Sequence, residues 1–294
     1  VGTTYKQVNR EAAMYAGLEF AGKKLVSLAK EGERVAGNKK TLLVHCWRGG
    51  MRSKSMVWLF ETLGLHCYLL EGGYKSYRRY VREMLSGPLN LLVIGGRTGS
   101  GKTDILHHLH KSGKQVIDLE GLAHHKGSAF GALGEAEQPS TEQFENDIGH
   151  VIKSLDREKV TWIEDESRNV GKCVVPGELY ARMKKSTMIF LDIARELRAR
   201  HLVKDYASYD QEDLKACVYK IEKKLGGNRT REAVEAIERK DYYRTAMITL
   251  HYYDKAYMHS LEKNHEHYKV LSSQLVDPEV NAELLIRYEK EKRL

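Results

Sequence analysis

Leu89-Asn90-Leu91-Leu92-Val93-Ile94-Gly95-Gly96-Arg97-Thr98-Gly99-Ser100-Gly101-Lys102-Thr103 opens on an apolar run broken only by Asn90 and closes on a complete Gly-x4-Gly-Lys-Thr. A continuous apolar run marks a strand buried on both faces of a parallel sheet. The glycines that follow let the backbone curl so that its N–H groups wrap phosphate oxygens. Lys102 supplies a point charge, and the Thr103 hydroxyl is placed for Mg²⁺. With a strand before it and a helix after it, the segment Gly96, Arg97, Thr98, Gly99, Ser100, Gly101, Lys102 and Thr103 reads as a phosphate-binding loop in an α/β domain. It indicates affinity for phosphate rather than hydrolysis, and its ligand reads as either ATP or another phosphate.

Downstream, residues 115–119 read as a second strand with Asp118 and Glu120 at its end, and His124-His125-Lys126-Gly127 begins a polar loop. A third strand, 160–163, ends in Glu164-Asp165-Glu166-Ser167-Arg168. A carboxylate at this strand end would hold the water shell of Mg²⁺ or act as a base. Glu164 and Asp165 are equally placed for that role, and alternation along the strand leaves one of them facing the loop. Residues 187–193 form another strand, followed by a helix bearing Arg195, Arg198, Arg200 and His201. That helix reads either as a lid over transferred phosphates, as in nucleotide kinases, or as a structural or RNA-binding element.

Helices are expected over 212–225, 231–239 and 241–261, with Gly226-Gly227-Asn228 as a turn. Tyr242, Tyr243, Tyr252, Tyr253 and Tyr257 alternate with basic residues and would either stack on unpaired bases or pack in the core. His107, His108 and His110, and likewise His259, His265 and His267, lack the spacing of a metal site and are assigned to the surface or a strand edge. Lys269 opens a last strand at Val270-Leu271, before a closing helix over Pro278–Lys292.

Upstream, Ser86-Gly87-Pro88 breaks a basic helix that begins near Tyr74 and sets a domain boundary, giving domains 1–87 and 88–294. Lys75, Arg78, Arg79 and Arg82 on that helix either meet a phosphate backbone or form a solvated helix face. The first domain centres on Val44-His45-Cys46-Trp47-Arg48-Gly49-Gly50-Met51-Arg52-Ser53. The short β-branched run 41–44 precedes this loop and an amphipathic segment, 55–63, follows it, so Cys46 ends a strand. Gly49 and Gly50 let successive N–H groups point inward beside a helix N-terminus. That field, together with Arg48 and Arg52, is expected to favour the thiolate. Residues 11–28 read as one amphipathic helix, 31–40 as a charged loop and 66–70 as a strand.

The 294 residues carry a net charge of +8. All of the excess lies in residues 1–88, with 15 Lys+Arg against 7 Asp+Glu. A basic domain suits an anionic partner, nucleic acid included. Four cysteines without Cys-x2-Cys pairing suit a reducing, cytoplasmic setting and no zinc site. Cys67 and Cys173 are assigned to the core and Cys217 to a helix packing face. No stretch approaches a membrane span.

His45-Cys46-x2-Gly49-x2-Arg52-Ser53 matches the cysteine phosphatase signature, and Cys-x5-Arg also resembles a rhodanese sulfurtransferase loop. Tyr68-Leu69-Leu70-Glu71-Gly72-Gly73-Tyr74 is similar to the strand and double glycine that rhodaneses carry after the active-site helix and phosphatases lack. The first domain therefore resembles a rhodanese. The earlier strand and Asp-x-Arg loop of a full rhodanese domain are not found before residue 11, so it is expected to be N-terminally incomplete.

A rhodanese-like loop followed by a P-loop domain resembles the tRNA 2-selenouridine synthase family, as do Leu70–Tyr74, Gly96–Thr103 and Trp162-Ile163-Glu164-Asp165-Glu166-Ser167-Arg168. The resemblance implies a tRNA-modifying transferase that converts wobble 2-thiouridine to 2-selenouridine. It implies selenophosphate and geranyl diphosphate as substrates, an S-geranyl intermediate, tRNA as partner and an enzyme that supplies selenophosphate as a further one. The geranyl donor would sit on Gly96–Thr103. Cys46 would handle selenium, either by binding selenophosphate or by carrying a perselenide. A cysteine phosphatase, or a P-loop ATPase or RNA-binding protein, is the alternative.

Overall fold

The computed structural model describes residues 1–264 and 268–292. The positions of His265 and His267 lie outside the described residues. The chain forms two compact units, Val1–Tyr80 and Val81–Leu294. The division falls inside the helix Gly73–Ser86.

In the first unit, β1 (Thr41–Val44) pairs in parallel with β2 (His66–Leu69), with Leu42 opposite Cys67 and Val44 opposite Leu69. Leu42, Val44, Ala36, Phe60 and Leu65 form its small core, with Cys67 packed against it. The helix Met51–Thr62 follows the Cys46 loop.

The single helix expected over 11–28 is two helices, Arg10–Gly22 and Leu25–Ala36, and the loop expected over 31–40 is mostly the second of these. Gly32 and the dense charge concealed that helix. Glu31 and Arg34 form an i,i+3 pair along it. Gly32 is where the helix meets Phe60, whose ring would lie 2.2 Å from any added Cβ. Glycine there is a packing residue rather than a breaker. Gly37, at φ +50°, then ends the helix.

The second unit is built on a five-stranded sheet in the order β4-β5-β3-β8-β9. Here β3 is Asn90–Gly96, β4 Gln115–Ile117, β5 Val160–Glu164, β8 Thr187–Asp192 and β9 Tyr268–Ser272. Every pairing is parallel. A two-stranded antiparallel pair, β6 (Asn169–Val170) with β7 (Cys173–Val174), stands apart. From Leu91 onward β3 is wholly buried, as its apolar run requires of a central parallel strand. One face of the sheet packs on the helices Lys102–Lys111 and Pro278–Lys292 through Ile105, Leu106, Leu109, Ala282 and Leu285. A second, helical core gathers Leu214, Cys217, Val218, Ala233, Ile237, Ala246 and Leu250. Tyr242, Tyr252 and Tyr253 pack against this second core.

Two further expectations change in detail. Leu119 does not end β4 but begins the short helix Leu119–Ala123, because the Asp118 side chain caps it by accepting from Gly121 N. The turn at Gly226-Gly227-Asn228 contracts to Gly226 (φ +92°), and Gly227 already begins the helix Gly227–Glu238. Among the described residues, no helix is long and apolar enough to cross a membrane.

Candidate functional site

Parallel order places the carboxyl ends of β3 and β5 side by side, which is where open α/β sheets bind ligands. Gly96–Thr103 springs from the end of β3. Gly99 (φ +79°) and Gly101 (φ +76°) take the left-handed conformation the curl needs. Lys102 Nζ folds back onto the Gly96 carbonyl at 3.1 Å. The hydroxyl of Ser100 is buried without a partner in the same loop. Tyr257, from the helix Tyr242–Asn264, accepts the Gly96 N–H at 3.1 Å and donates to Asp165 at 2.8 Å. One hydroxyl thus ties the first amide of the loop to the end of β5.

The carboxylates of β5 are placed differently from expectation. Glu164 is fully buried, and its Oε1 accepts the backbone N–H of Glu120 at 2.9 Å. Asp165 does reach the cleft wall, as alternation requires, but Lys184 holds one oxygen at 2.8 Å and Tyr257 the other. The carboxyls nearest the loop are Glu120 and Glu166, which the strand-end reading did not single out. Glu120 accepts from the Thr103 hydroxyl and hydrogen-bonds Glu166. A Cβ on Gly127 (φ +68°) would lie 2.7 Å from Glu120 Oε1 and 3.0 Å from Glu166 Oε2. The two carboxyls therefore meet beneath the backbone of Gly127, which accounts for a glycine in that polar loop.

Electrostatics sort these acids. Burial pushes Glu164 well above the usual carboxylate range, reinforced by Asp118 and Glu120. Burial also raises Glu166, to about 8, with the charge of Glu120 adding to it. Glu120 is raised by burial too, with Lys102 and the Thr103 hydroxyl opposing. The only sequence-level signal for the pair was position, Glu120 just past the cap residue Asp118 and Glu166 two past Glu164.

Loop and carboxyls open into a cleft of about 590 Å³. Its lining also includes the apolar and aromatic side chains of Phe130, Leu202, Tyr206, Tyr209 and Tyr253. Phe130 and Tyr206 are stacked with centroids 5.0 Å apart. Of the arginine helix, only His201, Leu202, Asp205 and Tyr206 line this cleft. Arg198 is buried, forks onto Asp254 at 2.8 and 2.9 Å, and donates to the Thr98 carbonyl at 2.9 Å. Arg195 shares Asp254 at 2.8 Å. Arg198 thus braces the phosphate loop, and neither arginine is free to close over a ligand. Arg97 turns to Asp192 at 2.6 Å.

In the first unit, Cys46 Sγ accepts from Gly50 N and from the Ser53 hydroxyl, each at 3.3 Å. The thiol is lowered to about 6, first by Ser53 and then, against burial, by the backbone N–H groups of Arg48, Gly50 and Ser53. Arg48 and Arg52 are exposed, and hydrogen bonds rather than their charges lower the thiol. Gly49 (φ +66°), Gly72 (φ +69°) and Gly73 (φ +63°) are all left-handed. A Cβ on Gly73 would fall 2.2 Å from the Cys46 carbonyl oxygen. Tyr74 N donates to that oxygen at 2.9 Å, and Lys75 N to the Trp47 carbonyl at 2.9 Å. The double glycine thus holds the cysteine loop from below.

A family model described as the tRNA 2-selenouridine synthase AAA domain matches residues 89–277. A protein named tRNA 2-selenouridine synthase from Bdellovibrio bacteriovorus is 32% identical, over 90% of this chain and 81% of its own. Its namesake from Nitrosomonas europaea is 30% identical, over the same shares of each chain. The chain belongs to the tRNA 2-selenouridine synthase family. It is accordingly an enzyme. The namesake from Aeromonas salmonicida is 36% identical over 70% of this chain, and that match spans 56% of the relative's length. The synthase AAA match takes in the P-loop, Glu120, Glu164, Glu166 and Tyr257, and a match over 90% of the chain must include Cys46.

The basic residues considered for tRNA fall on the helix Gly73–Ser86. Lys75 and Arg79 are exposed and Arg78 is half-buried, whereas Arg82 is paired with Glu178, Nε to Oε1 at 3.0 Å. Tyr243 is exposed; the other tyrosines considered for base stacking are partly buried.

Proposed function

We propose that this synthase converts wobble 2-thiouridine in tRNA to 2-selenouridine in two steps, geranylation of the sulfur in the P-loop cleft and selenium delivery at the Cys46 loop. Tracing the substrates to tRNA rests on the names of the relatives, and an exposed basic stretch at Lys75 and Arg79 suits a phosphate backbone.

The observation that carries the first step is the presence of an anion loop and a group of apolar and aromatic side chains in one cleft. A geranyl diphosphate needs both. Its diphosphate would lie on the amides of Gly96–Thr103 and on Lys102, and its hydrocarbon against Phe130, Leu202, Tyr206, Tyr209 and Tyr253. Amides and a lysine aimed at the diphosphate stabilise the charge that develops as it leaves. S-alkylation then turns the sulfur at C2 into a leaving group.

Neither Glu164 nor Asp165 is free to hold a magnesium ion. The Thr103 hydroxyl donates to Glu120, Glu164 is turned to a backbone N–H, and both Asp165 oxygens are taken. Among the described residues no three His, Cys, Asp or Glu side chains converge on a metal position.

For the second step, electron balance chooses between the two roles of Cys46. Selenium in selenophosphate is already at the selenide level, so a Cys46 perselenide would require an oxidant. Attack of the Cys46 thiolate on phosphorus requires none. The S–P bond forms, the P–Se bond breaks, and selenide departs with the electron pair to displace the geranyl thiol at C2. The inward N–H groups of the loop would hold the phosphoryl oxygens.

The test supplies 2-thiouridine tRNA, geranyl diphosphate and selenophosphate to wild type, Cys46→Ala and Lys102→Ala, followed by mass spectrometry of the nucleosides. Wild type should give 2-selenouridine, Cys46→Ala should stop at the S-geranyl nucleoside, and Lys102→Ala should leave 2-thiouridine. Untouched 2-thiouridine with wild type would end this reading and send the chain to phosphatase and ATPase assays.

A further inference from the structure

Geranyl transfer leaves one proton without a destination. 2-Thiouridine carries hydrogen on N3 beside the C2 thiocarbonyl, and S-alkylation turns that thioamide into a thioimidate. The sulfur–carbon bond forms, the carbon–oxygen bond to diphosphate breaks with its electron pair leaving on diphosphate, and the N3–H electrons become the N3–C2 double bond. The proton must be taken up as this happens.

We propose that the Glu120–Glu166 carboxyl pair is the base that takes the N3 proton, an assignment that rests on the geranyl-transfer reading of the same cleft. Both side chains line the cleft beside the phosphate loop. Glu120 accepts from the hydroxyl of Thr103, the residue after the loop lysine, and the two carboxyls meet beneath Gly127. A base here stands next to the diphosphate-binding amides, as simultaneous alkylation and deprotonation require.

The other acids of the cluster are committed elsewhere. Asp165 is held by Lys184 and Tyr257. Glu164 is fully buried, with Oε1 on the Glu120 backbone N–H and Oε2 unpartnered. Asp118 caps a helix and accepts from His107 at 2.9 Å. The charged or titratable groups facing the pair are thus Lys102, Asp118, Glu164, Asp165 and Tyr257.

Within the pair, Glu166 is pushed up to about 8 and holds a proton at neutral pH, donating it to Glu120. Glu120 is raised by burial, with Lys102, the Thr103 hydroxyl and Glu166 opposing. The hydrogen bond between the carboxyls holds one proton, and Glu120 is its acceptor, as it is for the Thr103 hydroxyl. Lys102 is the strongest of the influences that lower Glu120. When Lys102 turns to the diphosphate, the pair becomes more basic, which couples donor binding to base strength.

The experiment follows S-geranyl nucleoside formation from geranyl diphosphate and 2-thiouridine tRNA, without selenophosphate, from neutral pH upward. It compares wild type, the Glu120→Gln/Glu166→Gln double variant and Lys102→Ala. A positioned base contributes about a hundredfold or more, so the double variant should be slower by that factor at neutral pH. Its deficit should shrink by about tenfold per pH unit as N3–H itself becomes ionised, because the substrate then arrives already deprotonated. Lys102→Ala should show no such recovery. Should the double variant fail to fold, Glu120→Gln alone is expected to show the same recovery.

A double variant as fast as wild type at neutral pH, or slowed by one constant factor at every pH, would overturn the base assignment while leaving geranyl transfer intact. Absence of any S-geranyl product from wild type would remove the transfer reading itself, and the base with it.

Discussion

At Cys46 the thiolate is made by hydrogen bonds, and this fixes its pH dependence. The thiol is lowered to about 6, with Ser53 as the largest influence. Lowering means that protonation removes the nucleophile only below about pH 6, so selenium delivery should hold at neutral pH and fall as pH drops through 6. Ser53→Ala removes a donor to the anion, so the thiol should rise toward the ordinary value near ~8.5 and the acid limb should move upward with it. The rate of alkylation by iodoacetamide against pH, read at Cys46 by peptide mass spectrometry, measures both. A profile unchanged by Ser53→Ala would assign the lowering to the backbone alone.

A second residue-scale prediction concerns Gly73, left-handed at φ +63° and 2.2 Å from the Cys46 carbonyl oxygen were a Cβ present. The strain costs about 1–2 kcal/mol and the overlap about 1–3 kcal/mol. Gly73→Ala should therefore lower the melting temperature and, by moving the Cys46 loop, slow alkylation at neutral pH. At this scale the sequence was most legible where glycine spacing and chemistry coincide, at Cys46 and at Gly96–Thr103. It was least legible at Glu120 and Glu166, which are ordinary strand-end acids until the fold brings them together beneath Gly127.

The helix Tyr242–Asn264 contributes more to the phosphate loop than packing. Asp254 anchors Arg198, which supports the Thr98 carbonyl, and Tyr257 bridges Gly96 N and Asp165. Three residues apart, the two side chains sit on one face of the helix, so one element braces the loop twice. Tyr257→Phe leaves the buried Gly96 N–H without its acceptor, at a cost of about 1–3 kcal/mol. We expect a lower melting temperature and weaker binding of geranyl diphosphate, measurable by calorimetry. Unaltered affinity would mean that the loop holds its curl without the tyrosine.

Apolar runs of β-branched residues gave β3, β5 and β8 to within a residue or so, because burial on both faces leaves no other pattern. The helix Leu25–Ala36 was hidden, since charge and Gly32 imitate a loop until Phe60 is seen against the glycine. The tyrosines of the helix Tyr242–Asn264 were ambiguous for a related reason, as aromatic residues at helical spacing serve cores and ligands alike. Tyr252 and Tyr253 pack against the helical core, while Tyr257 bonds the phosphate loop.

Across the whole molecule, the two anion loops belong to separate compact units, Cys46 in Val1–Tyr80 and Lys102 in Val81–Leu294. If each unit performs one step, disabling one should leave the other working, and the intermediate need not stay on the chain that made it. Cys46→Ala should accumulate S-geranyl tRNA, whereas Lys102→Ala should accept that product and finish the reaction. Mixed in one vessel with 2-thiouridine tRNA, geranyl diphosphate and selenophosphate, the two inactive variants should together produce 2-selenouridine. The rate should depend on the concentration of each variant and fall as salt rises, because transfer of the tRNA between chains depends on phosphate contacts that salt weakens. Lys102→Ala given purified S-geranyl tRNA serves as the control for its intact Cys46 step. If that control produces 2-selenouridine but the mixture does not, the intermediate is passed within a single chain without release. If the control also fails, Lys102 acts in both steps, and the division of labour between the two units is wrong.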